Sequence, residues 1–278
     1  MDSQSIRNEI ESIDSLPTIP TILKRLLSII ENPLVSLNEI GNFISNDPVL
    51  ASRVLKMVNS PIYGFPGRIS SINQALILLG LNVVKGMLLG ISVFEAMQKT
   101  MVGLWEHSIG CAITAKILAY KKGLKEPEEV SVAALLHDIG KVAFGLKFPQ
   151  KYKEMIGSTE EKESFIFEIE NAYFNVNHAD AGSWIAQKWN FPKNLIEVIG
   201  YHHKPHLSRN FSLHTAIVHL SDIIIRASGF GFAGDKFVPI INDSAWNILN
   251  LSEYDLREVV KELDDSLEEA EDFLFTDE

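Results

Sequence analysis

An all-α fold is predicted by three features of the sequence. Apolar residues recur at three- and four-residue spacing along most of its length, recognisable helix starts precede them, and neither period-two apolar runs nor Asn-Gly hairpin signals occur. The 278 residues, 46% hydrophobic and 22% charged, suffice for a large core and do not resemble a disordered chain. That length suggests about two lobes at roughly 150 residues each.

The first helix is predicted over Thr18 to Glu31, where Ile22, Leu23, Leu26, Leu27 and Ile30 share a face, Pro20 lies in the first turn and Asn32-Pro33 stops it. Ser36 and Glu39 form a capping box ahead of Leu37, Ile40, Phe43 and Ile44. Asp47 and Pro48 open the next helix as N-cap and first residue; it carries Leu50, Val54, Leu55 and Val58 and ends at Asn59-Ser60-Pro61. A loop through Gly64, Pro66 and Gly67 leads to a further capping box, Ser71 and Gln74. The apolar stretch Ala75 to Phe94 follows. It is about long enough to cross a bilayer, but Asn82 and Lys85 near its middle and Gly80 and Gly86 favour two core helices joined at Gly80. The first hundred residues thus read as five helices.

Further helices are predicted from Gly103 to Lys122, from Pro127 to His137-Asp138, from starts at Asn177 and Pro192, and over Leu213 to Ser228, with a glycine-rich loop from Gly229 to Asp235. Ser252 and Asp255 open a last helix whose apolar stripe is Leu256, Val260, Leu263, Leu267, Ala270 and Leu274. This helix either packs back on the body or docks a partner or a second copy.

The net charge of −11 is unevenly placed: residues 251–278 carry twelve carboxylates against Arg257 and Lys261, which leaves the first 250 residues close to neutral. An acidic chain of this kind is a poor partner for nucleic acid or an anionic membrane. A helix-turn-helix reading of Asn38 to Lys56 offers only Arg53 and Lys56 as basic contacts. Cys111 is the single cysteine, so no internal disulfide can form, and Asp2, Arg7, Glu9 and Glu11 leave no apolar signal-peptide core. The expected location is the cytoplasm.

Chemistry concentrates in a series of histidines and aspartates: Trp105-Glu106-His107-Ser108, Leu136-His137-Asp138-Ile139-Gly140-Lys141, His178-Ala179-Asp180, Tyr201-His202-His203 and Ser221-Asp222. Asp222 stands in an apolar helix, where an unpaired carboxylate is costly and needs a partner. Imidazoles and carboxylates without a thiolate set suit iron, manganese, zinc or magnesium ions. The series resembles the HDOD family, a bacterial signalling branch of the HD superfamily related to the HD-GYP phosphodiesterases. The resemblance covers about residues 16 to 228. It rests also on Leu16-Pro17-x-x-Pro20, Asp47-Pro48-Val49-Leu50, Asn59-Ser60, Ser71-Ile72-x-x-Ala75, Leu79-Gly80 and Trp189-x-x-Pro192.

The resemblance implies an N-terminal helical lobe over residues 1–97 and an HD-type metal-binding lobe over 98–278. It implies that His107, His137, Asp138 and Asp222 match a mononuclear H…HD…D set. His178, His202 and His203 match the added ligands of binuclear members, in which Asp138 bridges. Asp138 and Lys141 are the implied catalytic pair, with Lys141 contacting a substrate phosphate or helping to donate a proton. The Gly-Tyr-Pro motif that follows the His-His pair in HD-GYP enzymes is replaced by Lys204-Pro205-His206-Leu207, which removes the warrant for cyclic di-GMP. The expected function is therefore a regulatory module acting on a signalling protein partner, with an active metal-dependent phosphohydrolase for a phosphate-containing small molecule as the alternative. Plainer roles stay open for each residue: an interface hydrogen bond for His107, a helix-end pair for His137-Asp138, a first-turn surface position for His178, dipole partners for His202 and His203. For His214, His219 and Cys111, ordinary core or surface positions are expected; the other readings are support behind the ligands for the two histidines, one and two turns before Asp222, and metal ligation for Cys111, one turn after His107.

Overall fold

The computed structural model describes residues 2–13, 25, 28–29, 35–60, 62–63, 65 and 68–275. Most of the helix expected over 18–31, all but residues 25, 28 and 29, lies outside these, as do the Leu16-Pro17-x-x-Pro20 motif, Pro61 and the loop residues Gly64, Pro66 and Gly67. No strand occurs among the described residues, so the all-α expectation holds.

Helix α1 (Ser3–Glu11) had not been singled out in the sequence. Asp2 caps it by accepting from Ser5 N at 2.7 Å, and Ile6 and Ile10 are buried. It packs on the later helices α7 (Ile139–Lys147) and α10 (His178–Lys188). Helices α2 (Leu37–Ser45) and α3 (Pro48–Val58) form as expected, α2 with its full Ser36–Glu39 capping box. Asp47 Oδ1 accepts from Leu50 N at 3.0 Å. Asn59 is a clamp: its side chain donates to Leu55 O and Ile69 O and accepts from Ile69 N, fixing the entry to the next helix.

Helix α4 (Ile72–Thr100) contains the apolar stretch. It is kinked at Gly80, whose φ of 77° is left-handed, so two helices do meet there. Its capping box is incomplete. Ser71 accepts from Gln74 N, but the Gln74 side chain returns its bond to Ser70 N. The stretch Ile72–Ile91 is apolar and long enough to span a membrane, yet 61% of it is buried within the protein. α4 packs on α2 and α3 and also on α6 (Pro127–Leu136) and α7, and it continues to Thr100 past the expected division at 97/98.

Helix α5 (Leu104–Lys121) is buried along nearly its whole length. α6, α12 (Ser212–Ser228) and the C-terminal α14 (Glu253–Phe275) pack against it. α8 (Pro149–Gly157), α9 (Ile166–Phe174) and α13 (Asp243–Leu249) fill stretches for which no helix was predicted. α11 (Lys193–Tyr201) and α10 start at Pro192 and Asn177 as expected.

The C-terminal helix corrects one detail. Its buried stripe runs through Val259, Leu263, Leu267 and Ala270, while Val260 is 43% exposed. Both valines satisfy three- or four-residue spacing, so periodicity alone does not separate them. The acidic face is turned outward except where Lys121 of α5 meets Asp255 at 3.1 Å and Glu258 at 3.7 Å.

Candidate metal centre

The predicted ligands converge in one buried cluster. α6 ends at Leu136, and His137-Asp138 form the turn into α7; the Asp138 carboxylate makes no cap bond to that helix. It points instead into the space between α5, α10, α11 and α12. Such close helix packing depends on Gly140, where an added Cβ would lie 1.9 Å from His178 O.

Asp138 presents one oxygen to each half of the cluster. Oδ2 lies 3.6 Å from His107 Nε2 and 3.3 Å from His137 Nε2; Oδ1 lies 3.2 Å from His178 Nε2 and 3.9 Å from His202 Nε2. Asp222 completes the first half, 3.2 Å from His107 Nε2 and 4.0 Å from His137 Nε2. In the second half, His203 Nε2 and His178 Nε2 stand 2.8 Å apart, so either one carries a proton between them or both lone pairs face a cation.

Backbone carbonyls fix the tautomers. His137 Nδ1 donates to Ala134 O at 2.6 Å and His202 Nδ1 to Ile199 O at 2.7 Å, which leaves both Nε2 atoms bare and aimed inward. His137 Nε2, His202 Nε2 and Asp138 Oδ1 are buried without a hydrogen-bond partner. Buried polar atoms are rarely left so, and a group of them facing one point fits a divalent ion. Three sets of donors each lie within 4.8 Å of one another: His107, Cys111, His137 and Asp222; His137, Asp138 and His202; and His178, His202 and His203. The chemistry of these donors suits the ions expected from the sequence.

Neighbours that the sequence reading did not pick out hold the ligands in place. Glu170, on the inner face of α9, accepts from His178 Nδ1 at 2.6 Å and from His178 N at 2.8 Å, the carboxylate support common behind metal-binding imidazoles. Tyr152 donates to its other oxygen. Arg226 donates to Asp222 at 2.8 Å and to Asp235 at 2.9 Å, and Asp235 in turn accepts from Ile166 N at the start of α9. His219 takes the supporting position that the sequence had left open for it: it donates to His202 O and accepts from Asn242 N. Spacing offered a signal for Arg226, one turn after Asp222, and for Glu170, an acid on an apolar helix face. His214, edge-on to Phe211, stays outside the cluster.

Lys141 is fully buried. Its ammonium donates to Asp138 Oδ2 at 2.5 Å and to Ala233 O at 2.8 Å, so it compensates the Asp138 carboxylate from inside the fold. Burial raises the Asp138 carboxyl, but His137 and Lys141 outweigh it and hold it well below the usual range. For Asp222 burial is likewise outweighed, by Arg226 and His107. Burial lowers His107, His202 and His203, whereas at His178 Glu170 and Asp138 overcome it and raise the imidazole.

The family model for the HDOD domain matches residues 16–205. The chain belongs to the HDOD domain family. An HDOD domain protein of unknown function from Geobacter sulfurreducens is 27% identical, with a TM-score of 0.72 and coverage of 98% of both chains. A candidate phosphohydrolase from Shewanella amazonensis shares the fold at 20% identity and a TM-score of 0.62, covering 93% of this chain and 97% of its own. An uncharacterized protein of Treponema pallidum is 28% identical over 78% of this chain, which spans 43% of that relative's length. Asp222, Arg226 and Asp235 lie beyond the residues matched to the HDOD model, so the first half of the centre is closed by the helix that follows it.

Proposed function

We propose that this HDOD protein is a cytoplasmic regulatory module whose divalent-metal centre is a structural or ligand-sensing element, and that it acts through contacts with a signalling protein. The observation that carries this reading is the enclosure of the centre. His107, His137, Asp138, His178, His202 and Asp222 are each at most 2% exposed, and both carboxylates already hold an internal cation, Lys141 or Arg226. When bound, a divalent ion in such a set polarises ligands and lowers the pKa of a coordinated water. Turnover would further need a route for a phosphate ester to that water.

A second reading, a metal-dependent phosphohydrolase, is favoured by one feature. A cavity of about 730 Å³ opens beside His203, lined by Phe165, Phe167, Phe237 and Ile241 among others. The Shewanella amazonensis neighbour described as a candidate phosphohydrolase supports that reading by fold analogy alone.

Anaerobic purification followed by metal analysis and a nucleotide and phosphodiester panel tests both. The regulatory reading expects bound metal, no turnover, and loss of the metal in Asp138→Ala. Turnover abolished by Asp138→Ala would replace it with the hydrolase reading. Protein that takes up no iron, manganese or zinc on supplementation would overturn both.

A further inference from the structure

We propose that the Cys111 thiolate is a direct ligand of the ion held by His107, His137 and Asp222. The proposal rests on the metal reading above and adds the donor that sets which metal the centre prefers. Cys111 follows His107 by one turn of α5, so the two side chains share a face. Cys111 Sγ lies 3.5 Å from His107 Nε2, and the four donor atoms fall within 4.8 Å of one another.

A tetrahedral ion with metal–nitrogen distances near 2.0 Å and metal–sulfur distances near 2.3 Å keeps its donors about 3.3–3.8 Å apart. The His107–Cys111 separation of 3.5 Å and the His107–Asp222 separation of 3.2 Å are close to that edge length, and the His137–Asp222 separation of 4.0 Å is about 0.7 Å longer than the edge between nitrogen and oxygen donors. An independent observation points to a ligand at the same place: His137 Nε2 is fully buried, has no hydrogen-bond partner and lies within the same donor group. Meanwhile Asp138 Oδ2, the carboxylate oxygen nearest His107 and His137, is engaged by Lys141 at 2.5 Å. Asp222 Oδ1 is likewise engaged, by Arg226 at 2.8 Å, and the sulfur completes the four-donor set with His107, His137 and Asp222.

On binding, the Sγ–H bond breaks, its electron pair enters the Sγ–metal bond, and the proton leaves to solvent. A thiolate beside two imidazoles and a carboxylate favours a borderline-soft ion, zinc or iron(II), over manganese or magnesium.

Cobalt(II) is the probe, titrated anaerobically into the full-length protein. Wild type should develop a thiolate-to-cobalt charge-transfer band in the near ultraviolet. Cys111→Ser should bind cobalt without that band, with zinc affinity reduced about tenfold or more and manganese affinity changed by less than about threefold. Cobalt bound by wild type without the band overturns the cysteine ligand and leaves the metal reading standing. A failure of wild type to bind cobalt, zinc and manganese overturns both. Should Cys111→Ser lose its helical circular dichroism, the wild-type spectrum alone decides.

Discussion

At Asp138, a carboxylate is kept ionised in a place that water does not reach. Lys141 makes this tolerable, and removing one member of a buried ion pair typically costs about 3–5 kcal/mol. Lys141→Met should therefore destabilise the metal-free protein by about that amount, measured by urea unfolding, with an added divalent ion restoring more stability to the variant than to wild type. Glu170 acts on the other half through His178. Glu170→Gln is expected to weaken metal binding about 10- to 100-fold by calorimetric titration while the fold persists. At this scale the sequence was informative about the ligands and gave only weak signals for their supports. His107, His137, Asp138, His178, His202 and His203 stand in a recognisable order, and all enter the cluster. Glu170 and Asp235 act on residues of other elements, where only packing brings them, whereas Arg226 reaches Asp222 within its own helix, one turn on.

Elements follow local rules wherever a local signal is strong. The Ser36, Asp47, Asn177 and Ser252 starts are all realised, because a side-chain oxygen three residues or fewer from a free N–H decides the matter locally. α1, α8, α9 and α13 are short; α1 packs on α7 and α10, far along the chain, whereas α8, α9 and α13 pack on their chain neighbours. Two tests belong here. Val259→Ala should cost about 2 kcal/mol and Val260→Ala less than about 0.5 kcal/mol by thermal unfolding, since only Val259 is buried. Glu197 ties α11 to the following loop, accepting from Ser208 Oγ and the N–H groups of Arg209, Asn210 and Phe211. Burial raises its carboxyl, but the bonds from Asn210, Ser208 and the loop backbone hold it at about 2 rather than 4.5. A carboxyl depressed in the folded state contributes fully above its unfolded value, and that contribution fades as pH falls from about 4.5 toward 2. Glu197→Gln should lose about 1 kcal/mol at neutral pH, allowing for solvent screening, and flatten this part of the acid limb.

For the whole molecule, the uneven charge has a structural meaning. The acidic residues of the last segment lie on the outer face of a helix whose inner face covers α5, the helix of His107 and Cys111. Deletion of residues 251–278 should lower the thermal midpoint sharply or abolish the cooperative transition; unchanged stability with altered self-association would mark α14 as a docking element instead. The sequence could not choose between packing and docking because an amphipathic stripe looks the same in either use.

The ring of bonds from His107 through Asp222, Arg226 and Asp235 to Ile166, and from Glu170 through His178 back to Asp138, also bears on time. It joins residues from 107 to 235, so its members meet only after the intervening helices have docked. If the folding transition state is organised by local contacts, a divalent ion held there would stabilise contacts that form only after it. Stopped-flow measurements should find that saturating metal slows unfolding several-fold and leaves the refolding rate almost unchanged, so that the centre serves as a kinetic latch on the folded protein.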